Sequence, residues 1–479
     1  MTTTRSSVTT QLRPQSALTV AASLACGALV LVTLAPAADA QPVSDSSTSS
    51  SSTTGPDSEG QLRSILAAQM AQGPATSGAY VVNLDDGHVV FDDRGDTKRL
   101  SASVTKLYTT STALIRLGQG TRLSTGVLGT GRRVGTTWTG DLYLRGAGDF
   151  TFGTVAFARK AYGSRASVER LATQLRQSGI RHIRGRVLAD ASLFGDNGGS
   201  EFGLVLCRNP LFGPRCPYGP AGRFERPIPN GPRTPIGFNR GLRSDTSAVP
   251  QKRPVRFAAR GLTRALRQAG IRVDGSPGAA VTPPRARLLA TAASPRVARL
   301  IKLINRPSDN YGADAMLRLL GARVTDRGTR AGGASVIRNT MRKAFGLTPS
   351  IRTGSGETLQ DRTSPAQIVA LLKDMASRPA GPAFTGSLSV AGRNGTLRRL
   401  AGTAAAGRCQ LKDGTRVDPV LANTTLNLVG YCTSVGGTRF AFAVMMNGMP
   451  MEFVPPDKIV SPAYALQDAM VEALAGYQQ

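Results

Sequence analysis

Ser103-Val104-Thr105-Lys106 heads a stretch, Ser103 to Leu117, in which Val104, Leu107, Leu114 and Ile115 fall on one helical face, with Gly118 as a natural stop. Residues three apart on a helix are neighbours, so this pattern sets the Ser103 hydroxyl beside the Lys106 amine at the helix start. A partly buried ammonium near the positive end of a helix loses basicity, and a lysine tuned in this way can accept a hydroxyl proton. Backbone N–H groups at the same helix end are suited to hold an oxyanion. The S-x-x-K pattern is short enough to arise by chance, and an amphipathic helix with a solvated lysine is its ordinary reading.

Two later clusters raise its weight. Ser308-Asp309-Asn310 follows Pro307 and lies between two expected helices. The first of these starts with Ser294 as cap and Pro295 as first helical residue and runs to about Asn305. The second runs from Asn310 to Leu320 and is ended by Gly321. Lys412-Asp413-Gly414-Thr415 precedes an apolar strand that begins at Leu426. Glycine there admits a substrate backbone, and lysine with threonine can hold a carboxylate. Around these clusters the pattern predicts a first helix at Gln61 to Met70. A hairpin of Ala79 to Leu84 and His88 to Phe91 turns on Asp85-Asp86-Gly87. Further elements are a helix at Pro365 to Met375, strands at Leu426–Tyr431 and Phe440–Asn447, and a last helix at Pro462 to Ala475. From about Thr121 to Ala290 short apolar strands such as Leu142–Leu144 and Val187–Leu188, with a helix near Val168–Ser178, alternate with Gly and Pro turns. This stretch reads as inserted material.

Histidine scarcity narrows the chemistry. The chain contains only two, His88 and His182, and neither sits where a Ser-His-Asp triad would need its base. Each reads as a surface or partly buried structural residue. No CxxC or HxxxH spacing occurs, which argues against a metal site.

The 479 residues suggest about three domains. Lys+Arg number 59 against 30 Asp+Glu, a formal charge of +29, and only nine of the 59 are lysine. The arginines are spread along the chain without a dense basic run, which argues against nucleic acid. Such a charge would draw an exported protein to anionic cell-wall polymers and to substrates ending in carboxylate. Export is expected from residues 1–40: Arg5 and Arg13, an uncharged run from Ala17 to Ala38, and the small-x-small site Ala38-Asp39-Ala40 read as a signal peptide. Membrane contact follows only if that segment stays uncleaved. Residues 41–60, rich in Ser and Thr, read as a flexible linker. In an oxidising compartment Cys207, Cys216, Cys409 and Cys432 allow three pairings; Cys207–Cys216 with Cys409–Cys432 is the favoured one.

The order S-x-x-K, S-D-N, K-x-G resembles the serine penicillin-binding proteins and β-lactamases. The long interval between the first two motifs is similar to the D-alanyl-D-alanine carboxypeptidase/endopeptidase family, the class C low-molecular-mass penicillin-binding proteins. Gly140-Asp141-Leu142-Tyr143-Leu144 with Gly146-Ala147-Gly148-Asp149, Ser308 to Leu317, and Thr353-Gly354-Ser355-Gly356 resemble the family's text. So do Asn394-Gly395-Thr396-Leu397 and Ala405 to Arg408. The resemblance implies an α/β (α+β) fold: a transpeptidase/β-lactamase-like core of an antiparallel sheet flanked by helices, with a large inserted, mostly β domain. The core would comprise residues 61–124 and 291–479, and the inserted domain residues 125–290, as two nested subdomains. It further implies Ser103 as nucleophile, Lys106 as base and Ser308 as proton relay. Asn310 would hold the substrate amide, Lys412, Gly414 and Thr415 the strand that grips its carboxylate, and N–H groups of Ser103 and Thr415 the oxyanion. The implied partners are peptidoglycan stem peptides and β-lactam antibiotics, and the implied mechanism needs neither a metal nor an organic cofactor. Three departures stand out: Asp413 where the family has Thr, Glu357 for Leu, and Thr353 for Asp. They leave room for a binding-only member; a β-lactamase is less favoured, since none of the seven Glu has Asn four positions on.

Overall fold

The computed structural model describes residues 55–195, 231–243, 249–418, 423–450, 452–454 and 458–479. The expected leader and the expected Cys207–Cys216 bridge lie outside these residues.

The strand Arg439–Pro450 organises the six-stranded sheet. Its residues are apolar on both sides, as befits a strand covered by helices above and below. Side chains alternate between sheet faces: Phe440, Phe442, Val444 and Met446 join Leu62, Leu66, Leu466, Met470 and Leu474 in one core. Those partners come from the helices Glu59–Ala71 and Pro462–Gly476. Ala441 and Ala443 face the opposite core, with Leu107, Ile301, Met316, Ile368 and Leu372. The sheet runs Ser389–Val390, Cys409–Asp418, Asn423–Thr433, Arg439–Pro450, Gly78–Asn83, Val89–Asp93, all pairs antiparallel. Cys409 and Cys432 are directly opposite and disulfide-bonded. Ser58, Ser364 and Ser461 cap the expected helices by accepting from Gln61, Gln367 and Ala463 N–H.

A second, mixed sheet begins with the hairpin Arg122–Val134 and Thr137–Arg145 and closes with Arg287–Arg296 on its edge. Short parallel strands extend its other side. Leu171 and Leu175 of the helix Val168–Gln177, and Leu262 and Leu266 of Pro254–Gln268, bury its Val127, Trp138, Leu142 and Leu144.

Three local expectations need correction. Ser294-Pro295 do not start a helix: they end the strand Arg287–Arg296, and the helix begins at Val297. The Ser294 hydroxyl accepts instead from Leu123 N–H on the neighbouring strand, at 2.9 Å. Gly321 does not stop its helix, which runs Asn310–Thr325. A Cβ there would lie 2.3 Å from Arg327 O and 2.7 Å from Gly333 N, so the glycine serves a close helix crossing. The crossing partner, Arg330–Phe345, is a helix absent from the sequence reading. Its Gly332-Gly333 look like breakers, yet a Cβ on Gly333 would meet Leu317 O at 2.0 Å.

Candidate active site

Ser103 lies in the 3-10 turn Ala102–Val104 that leads into the helix Thr105–Leu117. Ala102 has φ 43°, a left-handed conformation that costs a non-glycine residue roughly 1–2 kcal/mol and persists only when its surroundings enforce it. They do so here. Asn427 Nδ2 donates to Leu100 O at 2.9 Å and Ser101 O at 3.0 Å, and Ser101 Oγ donates to Asp361 O at 2.9 Å. Gly356 packs so closely on Ala102 O that a Cβ would lie 1.7 Å away.

Lys106 is wholly buried. Its Nζ donates to Ser103 Oγ at 2.7 Å, Asn310 Oδ1 at 2.6 Å and Ser355 O at 2.9 Å. Burial first, and the Lys412 charge second, pull its pKa down to about 7. Asn310 and the Ser355 carbonyl offer only acceptor atoms to it; Ser103 alone among the three partners can donate. Removing one proton from this ammonium therefore leaves its lone pair facing the Ser103 hydroxyl, with the other two bonds intact.

The loop that supplies the Ser355 carbonyl is wound around Asp361, which accepts from Arg352 N, Thr353 N and Thr353 Oγ1 at 2.6, 3.0 and 2.6 Å. Thr353, one of the departures, accepts in turn from Gly356 N at 2.9 Å. Glu357 stands at the rim. Its Oε1 accepts from Asn310 Nδ2 at 2.8 Å and its Oε2 from Ser355 Oγ at 3.3 Å, which fixes the Asn310 oxygen on Lys106. Burial and the Asp314 charge raise its pKa.

Ser308, at φ 57°, turns the chain between Val297–Asn305 and Asn310–Thr325. Lys412 Nζ donates to Ser308 Oγ at 3.0 Å, Asp413 O at 2.6 Å and Asp413 Oδ1 at 2.9 Å. The strand Cys409–Asp418 is paired on its outer side only at Gln410 and Leu411, so its edge from Lys412 onward carries no strand partner there. A Cβ on Gly414 would come within 3.0 Å of Ser101 O and 3.2 Å of Val104 N: glycine lets the strand lie against the nucleophile turn. Ser103, Lys106, Ser308, Asn310, Lys412 and Gly414 thus converge, with Thr415 next on the same strand and exposed. The long Lys412 side chain thus reaches the carboxylate of its own neighbour, Asp413.

Two arginines from a Gly/Pro-rich stretch, unremarked in the sequence, support the site from behind. Arg240 Nη1 lies 2.5 Å from Asp309 Oδ2 and its guanidinium 4.9 Å from the Tyr311 ring centroid. Arg233 pairs with Asp314 at 3.0 Å and lies 3.7 Å from Glu357. His88 contacts Asp86 and Glu59, and His182 contacts Asp274, so neither histidine joins the site. Among the described residues no group of three His, Cys, Asp or Glu could hold a metal ion, and no helix is long and apolar enough to cross a membrane.

A serine hydrogen-bonded to a buried lysine of lowered basicity, beside an open strand edge, has the parts of an acyl-transfer site. Residues 59–202 and 242–468 match the D-Ala-D-Ala carboxypeptidase 3 (S13) family, and the chain belongs to it. It is 23% identical over 427 residues to the D-alanyl-D-alanine carboxypeptidase DacB of Haemophilus influenzae, covering 78% of this chain and 85% of that one. With a D-alanyl-D-alanine carboxypeptidase of an Actinomadura species it shares 25% identity over 471 residues, covering 84% and 82%. The crystal structure of penicillin binding protein 4 from Haemophilus influenzae shares its fold, with a TM-score of 0.65 at 18% identity over 85% of this chain and 97% of that one. The same protein has been solved in complex with a β-lactam.

Proposed function

We propose that this enzyme cleaves the D-alanyl-D-alanine bond of peptidoglycan stem peptides, as carboxypeptidase or endopeptidase, through an ester on Ser103. Lys106 takes the Ser103 proton as Oγ attacks the carbonyl carbon. N–H groups of Ser103 and Thr415 hold the oxyanion, each contributing on the order of 3–4 kcal/mol. Ser308, bonded to Lys412, relays a proton to the leaving amine; Asn310 orients the substrate amide. Water then hydrolyses the ester. A β-lactam amide enters by the same route and acylates Ser103. The observation that carries this reading is the bonding of Lys106: two pure acceptors and one hydroxyl, at a pKa near neutrality. The charged leader and the disulfide support an extracytoplasmic site of action, where peptidoglycan and other anionic wall polymers lie.

The test is release of D-alanine from diacetyl-L-Lys-D-Ala-D-Ala by the purified protein and by Ser103→Ala. Turnover by the wild type alone supports the reading; equal turnover by both, or none by either, overturns it. A penicilloyl adduct that persists for many turnover times separates this peptidase from a β-lactamase.

A further inference from the structure

Asp413 lies two residues before Thr415 on the strand Cys409–Asp418. In the ladder between Cys409–Asp418 and Asn423–Thr433, Asp413 lies opposite Leu428 and Thr415 opposite Leu426. Both leucines point into the core beneath the terminal helix, whereas Val429, opposite Lys412, points into the core of the nucleophile helix. Directly opposed residues share a sheet face, so Asp413 and Thr415 are neighbours on one face. Thr415 is the residue expected to meet the C-terminal group of the substrate.

What Asp413 brings there is a fixed negative charge. Burial opposes its ionisation, yet the Lys412 ammonium and the Thr396 hydroxyl hold its carboxyl down to about 2. Its Oδ1 accepts from Lys412 at 2.9 Å and from Thr396 Oγ1 at 2.7 Å. Its Oδ2 accepts no hydrogen bond among the described residues, and the side chain is 22% exposed. Lys412, meanwhile, has all three N–H groups engaged by Ser308 and Asp413; an ammonium has three and no more. A substrate carboxylate arriving at Thr415 finds a like charge beside it and a lysine already neutralised by its neighbour.

A carboxamide fits this pair where a carboxylate does not. Its oxygen can accept from the Thr415 hydroxyl while its NH2 donates to Asp413 Oδ2. We infer that the leaving residue this enzyme handles best carries an uncharged carboxamide at its C-terminal carboxyl, with Asp413 as the specificity-determining residue. The inference rests on the peptidase reading above and sharpens its substrate class.

The test uses the full-length enzyme and two matched peptides, diacetyl-L-Lys-D-Ala-D-Ala and its C-terminal amide, with kcat/KM measured for each. The wild type is expected to favour the amide. Asp413→Thr and the near-isosteric Asp413→Asn are expected to shift the acid-to-amide ratio at least tenfold towards the acid, chiefly through a faster reaction of the acid. A wild type that favours the acid overturns the inference. So does an unchanged ratio in variants that still acylate Ser103 with a fluorescent penicillin. Failure of the wild type to acylate at all brings down the peptidase reading, and the inference with it.

Discussion

Acylation should follow the protonation of Lys106, and the size of the effect can be worked out in advance. With its pKa drawn down to about 7 by burial and by Lys412, half of the Lys106 side chains are neutral near pH 7. Only the neutral amine can take the Ser103 proton, so the competent fraction falls tenfold per pH unit below that point. At pH 5 it is about one hundredth, equivalent to about 2.7 kcal/mol of lost transition-state stabilisation. The second-order rate constant for acylation by a fluorescent penicillin should therefore rise with unit slope from pH 5 and level off above pH 7 to 8. Lys106→Ala should lower the plateau by roughly 10²- to 10⁴-fold, the usual worth of a general base. Lys106→Arg should do no better, because a guanidinium keeps its proton at any of these pH values. Circular dichroism and thermal melting of both variants will show whether the fold survives. A profile that is flat from pH 5 to 8, or a well-folded Lys106→Ala protein that acylates at the wild-type rate, would refute the assignment of Lys106 as base.

Glu357→Gln keeps an acceptor for Asn310 but removes a negative charge that raises the Lys106 pKa. The acidic limb of the acylation profile should move to lower pH, and a limb that stays put or moves up contradicts the link between these two groups. Arg240→Met leaves the Asp309 carboxylate buried without its nearest cation, a loss of about 3–5 kcal/mol. The melting temperature should fall by on the order of 10 °C; an unchanged melting curve would contradict the cost assigned to leaving that carboxylate without its partner.

The parts of the fold legible in the sequence are those where local and tertiary demands agree. The alternation of Phe440, Phe442 and Val444 against Ala441 and Ala443 dictates a doubly covered strand, and the helices expected after Ser58, Ser364 and Ser461 form with those serines as their caps. Ser294 carries the same local signal, but a neighbouring strand claims its hydroxyl through Leu123. Gly321, Gly332 and Gly333 read as breakers because a single sequence cannot show that another backbone passes within van der Waals contact. At the site, Ser103, Lys106, Ser308, Asn310 and Lys412 were legible from helix spacing and motif order. Glu357 was visible only as a departure from a family pattern, since its tie to Asn310 joins residues 47 apart in the chain. Arg233 and Arg240 gave no signal at all: they come from a Gly/Pro-rich stretch without periodicity, and only the fold carries them to Asp314 and Asp309.

The most direct measurement is the mass of the protein after brief exposure to a penicillin, followed by mapping of the modified peptide. One penicilloyl group should be found, on Ser103, and it should be absent from Ser103→Ala. Attachment at any other residue, or a wild-type protein that takes up no penicillin while binding stem peptides, would contradict the account.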